Sequence, residues 1–169
     1  MRMDPGQKVS AKDLVNRLCE EELSGIIKDF GEEHFYRRIS RAIVERRREK
    51  KIETTDDLAS VICRAVGGRR GKLDPATRTF QAIRIAVNDE LRALQQGLEQ
   101  IIPRLKTGGR IAVISFHSLE DRIVKNKFKE WAAGSLVKIL TKKPVRPSDA
   151  EVADNPRSRS GRLRVAERI

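Results

Sequence analysis

Ser115, His117 and Ser118 fall within four residues of one another, and Glu120, Asp121 and Arg122 follow directly. Two hydroxyls, an imidazole and three charged side chains in so short a stretch could hold a substrate by hydrogen bonds and give a released proton a route away. The preceding residues, Arg110 to Phe116 (RIAVISF), form a nearly continuous apolar run bounded by Gly108-Gly109. Such a run predicts a strand buried on both faces, a parallel strand of an α/β sheet. The polar cluster then sits at the strand's C-terminal end, where ligands gather in open α/β sheets. A plainer account stands beside each role. His117 could be a hydrogen-bonded loop histidine, and Ser118 with Asp121 has the spacing of a helix capping box.

A second group of residues is cationic. Between Arg37 and Lys51 there are eight basic residues (including Arg37, Arg38, Arg41 and Arg46) against two acidic ones. Either a solvated helix face or an anionic partner explains this. Nucleic acid is favoured over a membrane surface, because the apolar stripe of that helix (Phe35, Ile39, Ala42, Ile43) is narrow. A further cluster, Arg157, Arg159, Arg162 and Arg164, is interleaved with Ser158, Ser160 and Gly161, small residues that leave room for a phosphate backbone. Arg78, Gln81 and Arg84 share roughly one side of a predicted helix and could meet a phosphate or a base edge, or simply face water. Asn88 on that helix is expected to be a buried bridge to a neighbouring strand.

The elements that must position these groups begin all-helical. Ser10 with Asp13 predicts a capped start for one or two helices running to Gly31. A longer helix is expected from about Glu32 to Lys50, and a third from the Thr54/Asp57 cap to Gly67-Gly68, before a basic loop at 69–72. Asp74-Pro75 predicts an N-cap with Pro at the first helical position. From there Phe80, Ile83, Val87, Leu91, Leu94, Leu98 and Ile101 keep one face over about seven turns, up to Pro103. After the RIAVISF strand come a helix with Ile123, Val124, Phe128 and Trp131 inward, and candidate strands at Val137–Leu140 and Leu163–Ile169. A loop is expected at 144–156. Trp131 and the phenylalanines fall at core spacings.

The chain has 169 residues and a net charge of +12. No uncharged apolar run approaches the roughly 20 residues of a membrane span, and the N-terminus has no signal-like core, so a soluble, cytoplasmic protein with no membrane partner is expected. Cys19 and Cys63 are the only cysteines. Both are placed on apolar helix sides, and no zinc or other metal site is expected.

MRMDP (1–5), GEEHFYRRISRAIVERRREK (31–50), PATRTFQAIRIAVNDEL (75–91), LKTGGRIAVISFHSLEDRIVK (105–125) and NPRSRSGRLRVAERI (155–169) together closely resemble the MraW-type family. Its members are small-subunit ribosomal-RNA methyltransferases that use S-adenosylmethionine to methylate N4 of a decoding-region cytidine in 16S rRNA. The resemblance implies the C-terminal portion of a class I, Rossmann-like α/β methyltransferase carrying an all-helical substrate-recognition insertion. Residues 1–9 would end the N-terminal methyltransferase segment, 10–88 would recognise RNA, and 89–169 would complete the catalytic domain. The family's Gly-rich loop and acidic ribose-binding residue precede the MRMDP block, so no cofactor-binding residue is assigned in this sequence. Leu73-Asp74 departs from relatives that carry a basic residue and His there.

The resemblance implies 16S rRNA in the small ribosomal subunit as partner. Methylating an exocyclic amine requires an unstacked base, acceptors that hold the amine, and a proton route. Ser115, His117, Ser118, Asp121 and Arg122 are the candidates for that catalytic pocket. Arg37, Arg38, Arg41, Arg46, Arg78, Gln81, Arg84, Asn155, Arg157 and Arg159 are the candidates for RNA contact, with Asn155 to Ser160 as a turn at its entrance. An uncovered sheet edge would encourage a homodimer. A non-enzymatic RNA-binding module is the competing reading, and a helical DNA-binding protein would leave RIAVISFHSLEDR unexplained.

Overall fold

The computed structural model describes residues 1–68 and 74–169; the predicted basic loop at 69–72 and the Leu73 departure lie outside the described residues. The chain divides into two compact units, Met1–Glu90 and Leu91–Ile169.

The first unit is helical. Ser10 accepts a hydrogen bond from the Asp13 N–H while the Asp13 carboxylate returns to the Ser10 N–H, opening α1 (Ala11–Arg17). A second box, Cys19 with Glu22, opens α2 (Glu20–Gly31), so the predicted run is two helices. Cys19 is therefore exposed at a helix start and not on an apolar side. Helix α2 ends as Glu32 turns left-handed at φ 47°. Gly31 lies inside its last turn, where an added Cβ would stand 2.8 Å from the Arg78 carbonyl oxygen; only glycine permits that approach. The expected long helix starts later, as α3 (Tyr36–Glu49). The Thr54/Asp57 box opens α4 (Thr55–Val66), closed by Gly67 at φ 81°.

Helix α5 spans Thr77–Asn88 and not the full stretch from Pro75. The Asp74 carboxylate accepts from the Ala76 N–H in a preceding turn, so its capping acts two residues early. The long apolar stripe also breaks: Asp89 is left-handed at φ 49°, and α6 (Glu90–Ile101) begins after it. The stripe is thereby shared out. Phe80, Ile83 and Val87 join the core of the first unit around Leu23, Ile27, Ile39, Ile43 and Ile62, whereas Leu94, Leu98 and Ile101 join that of the second.

In the second unit a 3₁₀ turn at Ile102–Arg104 leads to β1 (Arg110–Ser115), α7 (Ser118–Ala133), β2 (Val137–Ile139), α8 (Asp149–Asp154), a 3₁₀ turn at Pro156–Ser160 and β3 (Arg162–Arg168). The strand order is β1-β3-β2, with both pairings antiparallel. Strand β1 is thus paired antiparallel, contrary to the parallel arrangement expected for it, with Arg110 opposite Glu167 and Ser115 opposite Arg162. An unbroken apolar run signals a strand but carries no sign of its neighbour's direction. Nor are both faces covered: Ile111 and Ser115 are buried, but Ile114 is 61% exposed. Ile111, Val124, Phe128, Trp131, Val137 and Ala166 form the core beneath α7. The predicted loop 144–156 holds α8, capped by Ser148, and Val145 forms a bridge to Leu163. Among the described residues, the other edge of β1 has no ladder partner.

Candidate functional site

At the head of β1 the first turn of α7 starts one residue earlier than the Ser118/Asp121 spacing suggests. His117 is the N-cap: its Nδ1 accepts from the Glu120 N–H at 3.4 Å, and the Glu120 carboxylate accepts from the N–H groups of Phe116 (2.8 Å) and His117 (3.3 Å). An Nδ1 that accepts carries no proton, so the neutral ring bears its hydrogen on Nε2, which lies 3.4 Å from Glu120 Oε1.

That shift frees Asp121 for another task. Its oxygens accept from Arg164 Nε at 2.7 Å and a terminal nitrogen of Arg164 at 3.2 Å, and Arg162 stands 3.5 Å away. Arg164 is only 6% exposed. The Arg164 hydrogen bonds, helped by the charges of Arg164 and Arg162, hold the Asp121 carboxyl below its ordinary 3.8 against the opposing effect of burial. Asp121 therefore locks α7 to β3 and caps nothing.

Ser115 Oγ is buried and has no hydrogen-bond partner among the described residues. Ser118 opens α7, and Arg122 is exposed on its outer side. Farther along, Asn155 Oδ1 accepts from the Arg157 N–H, and Ser158 donates to the Asn155 carbonyl, fixing a turn that leaves Arg157 and Arg159 in solvent.

In the first unit Arg37, Arg38 and Arg41 stand exposed on α3. With Ala42, Glu45, Ala65 and Arg64 they line an open groove of about 520 Å³. The Arg37 guanidinium lies 5.5 Å from the Tyr36 ring centre, and that of Arg38 5.8 Å from Phe35. Arg41 reaches Glu20 at 3.6 Å. Aromatic faces hold the guanidinia of Arg37 and Arg38 without neutralising them.

Several other arginines of this unit are engaged by the fold itself. Arg46 donates to the Lys50 carbonyl, and Arg47 to those of Val15 and Leu18, closing α1. Arg78 donates to the Glu32 carbonyl and Gln81 to that of Phe30, serving the end of α2; Arg84 forms a two-pronged pair with Glu90. Asn88 is a structural bridge, but to the N-terminal segment, through the Met3 N–H and the Met1 carbonyl, and not to a strand.

Sequence reasoning missed Arg64 and two phenylalanines. Helices α3 and α4 pack together about the 50–54 connection, so a residue near the end of α4 mirrors one near the start of α3; that symmetry was available to find Arg64. Phe35 and Phe116 are 40% and 53% exposed and do not belong to the core. Each sits at an element boundary, where helical spacing stops being informative.

The chain spans about 58% of the length of curated relatives it matches throughout. It is 54% identical over 171 residues to ribosomal RNA small subunit methyltransferase H of Sulfurihydrogenibium sp. (strain YO3AOP1), with 100% of this chain and 58% of that protein covered. It is 55% identical, with the same coverage, to the protein so named in Persephonella marina. The like-named protein of Coprothermobacter proteolyticus is 54% identical over 98% of this chain and 55% of its own length. The model of one protein family matches from the first residue to the last, 1–169. Together these matches show that the chain belongs to the MraW methylase family.

Proposed function

We propose that this chain is the C-terminal portion of an S-adenosylmethionine-dependent enzyme that methylates N4 of a decoding-region cytidine in 16S rRNA. The observation that carries the reading is the uninterrupted match to relatives named small-subunit rRNA methyltransferases. Residues 10–88 bind the RNA, with the groove of Arg37, Arg38, Arg41 and Arg64 taking its backbone. Residues 89–169 are the end of a class I, Rossmann-like sheet that the rest of the enzyme extends, and the open edge of β1 accepts the next strand from that part or from a second copy. A ribosomal substrate goes with a cytoplasmic protein.

The groups at the head of β1 do not fit the cofactor's own site. Holding its ribose calls for a free carboxylate, but that of Glu120 caps α7 and that of Asp121 is clamped by arginines. Their fit is to the base. Ser115, 1% exposed and with no protein partner for its Oγ among the described residues, lies beneath the pocket and shapes its floor. His117, with Nδ1 spent on the cap, is a positioning residue that holds Ser115 and the first turn of α7 in register. Ser118 and Arg122 complete the wall of this pocket, while Asn155, Arg157 and Arg159 border the entering strand.

Nucleoside mass spectrometry of 16S rRNA from cells expressing the whole gene product tests this. The unmodified protein should yield N4-methylcytidine at one decoding-region position; its absence there would overturn the reading. Ser115→Ala and His117→Ala should each reduce the mark without abolishing RNA binding. The second reading, an RNA-binding module without catalysis, is favoured by the committed carboxylates alone. Saturable binding of S-adenosylhomocysteine by this chain would remove it.

A further inference from the structure

On the sheet face opposite α7, Ile114 pairs in register with Leu163, and Val145 bridges to Leu163 from outside. Ile114, Phe116 and Val145 are 61%, 53% and 52% exposed. They floor a cleft of about 330 Å³ whose rim carries Arg146 and Arg157, with Glu151 as an acidic neighbour. Scattered exposed apolar residues are ordinary, but three gathered in one concavity mark a binding surface. The volume lies at the small end of single-ligand sites, too small for a protein element and suited to one flat ring with a charged edge.

The floor is also held still. The Phe116 N–H is bound by the Glu120 carboxylate at 2.8 Å, so its ring is presented from a fixed backbone next to Ser115. Neither Arg146 nor Arg157 makes an ion pair among the described residues. An aromatic platform beside uncommitted guanidinia is the chemistry that takes single-stranded nucleic acid, one base stacked and its phosphate neutralised. We propose that this cleft is a subsite for one unstacked nucleotide of single-stranded RNA, its base on Phe116 and its phosphate between Arg146 and Arg157. The inference rests on the RNA reading above and adds a stacking residue and a phosphate pair to it.

Fluorescence anisotropy of this chain with labelled hexauridylate, and with a ribose-phosphate hexamer lacking bases, tests it. Phe116→Ala should weaken hexauridylate binding about ten- to a hundredfold, Phe116→Tyr should restore it, and neither should change binding of the baseless hexamer. Unchanged hexauridylate affinity in Phe116→Ala, or equal losses on both probes, overturns the subsite. Should Phe116→Ala fail to fold, the Arg146→Ala/Arg157→Ala pair should lower the salt slope by about 1.4, and an unchanged slope overturns it equally. Binding that is lost in the Arg37/Arg38/Arg41 triple alanine variant but indifferent to Phe116 would leave the RNA reading intact and sink the subsite. No binding by the unaltered chain would sink both. A dimer in sedimentation that Phe116→Ala dissolves, with RNA affinity unchanged, would assign the cleft to a second copy.

Discussion

Two clusters of arginine, alike in composition, are put to opposite uses. On α3, Arg37 and Arg38 lie over aromatic rings with their charge facing water. On β3, Arg164 is buried and both of its hydrogen bonds go to Asp121. A guanidinium stacked on a ring keeps its charge for a partner, whereas one forked onto a carboxylate has given it to the fold. What separates them is the neighbouring residue type. Tyr36 and Phe35 offer faces without charge, and Asp121 offers two oxygens at the spacing of the fork.

The contrast breaks first, and most heavily, at the clamp. Asp121→Asn should destabilise the chain by about 3–5 kcal/mol in urea unfolding, because it strands a buried cation. The pH dependence has a definite sign. The folded carboxyl titrates below the ordinary 3.8, so the clamp's contribution is complete above that value and fades as pH falls through the folded one. The stability difference between the unaltered chain and Asp121→Asn should therefore shrink on acidification below about pH 4. A difference constant down to pH 2 would show that the pair does not govern it.

A smaller effect is expected on α3. Replacing Arg37, Arg38 and Arg41 with Ala should lower the salt slope of RNA binding by about 2 while unfolding stability stays within about 0.5 kcal/mol. Loss of stability with no change in slope would make these arginines structural, like Arg164. Smallest of all, Cys19→Ser should slightly raise the urea midpoint, since a hydroxyl accepts the Glu22 N–H better than the sulfur 3.5 Å away.

Much of this was legible in the sequence where a residue type has one local meaning. Ser10 with Asp13 and Thr54 with Asp57 are capping boxes in sequence and structure alike. The RIAVISF run is a strand. Where one type has several meanings, the pattern misled. His117 as an N-cap displaced the box that Ser118 and Asp121 spelled out, because a ring nitrogen can do what a hydroxyl does. The partners of Arg78, Gln81 and Arg84 are backbone carbonyls and a carboxylate brought near by folding, and helical spacing says which side they share but not what meets it. Arg157 and Arg164 read alike as basic residues near a chain end. Only the strand's alternation, which turns Arg164 toward α7, distinguishes the solvent-facing one from the locked one.

The left-handed turn at Asp89 gives the stretch from 74 to 101 a value for recombination. It lies where the apolar residues change allegiance, so a crossover there parts the chain without orphaning either side: Ile83 and Val87 travel with the helices they pack against, and Leu94 and Leu98 with the sheet. A junction two turns earlier or later would leave a helix with its greasy face bare. This residue is thus a natural seam, at which relatives could exchange the chain on either side without rebuilding either apolar core.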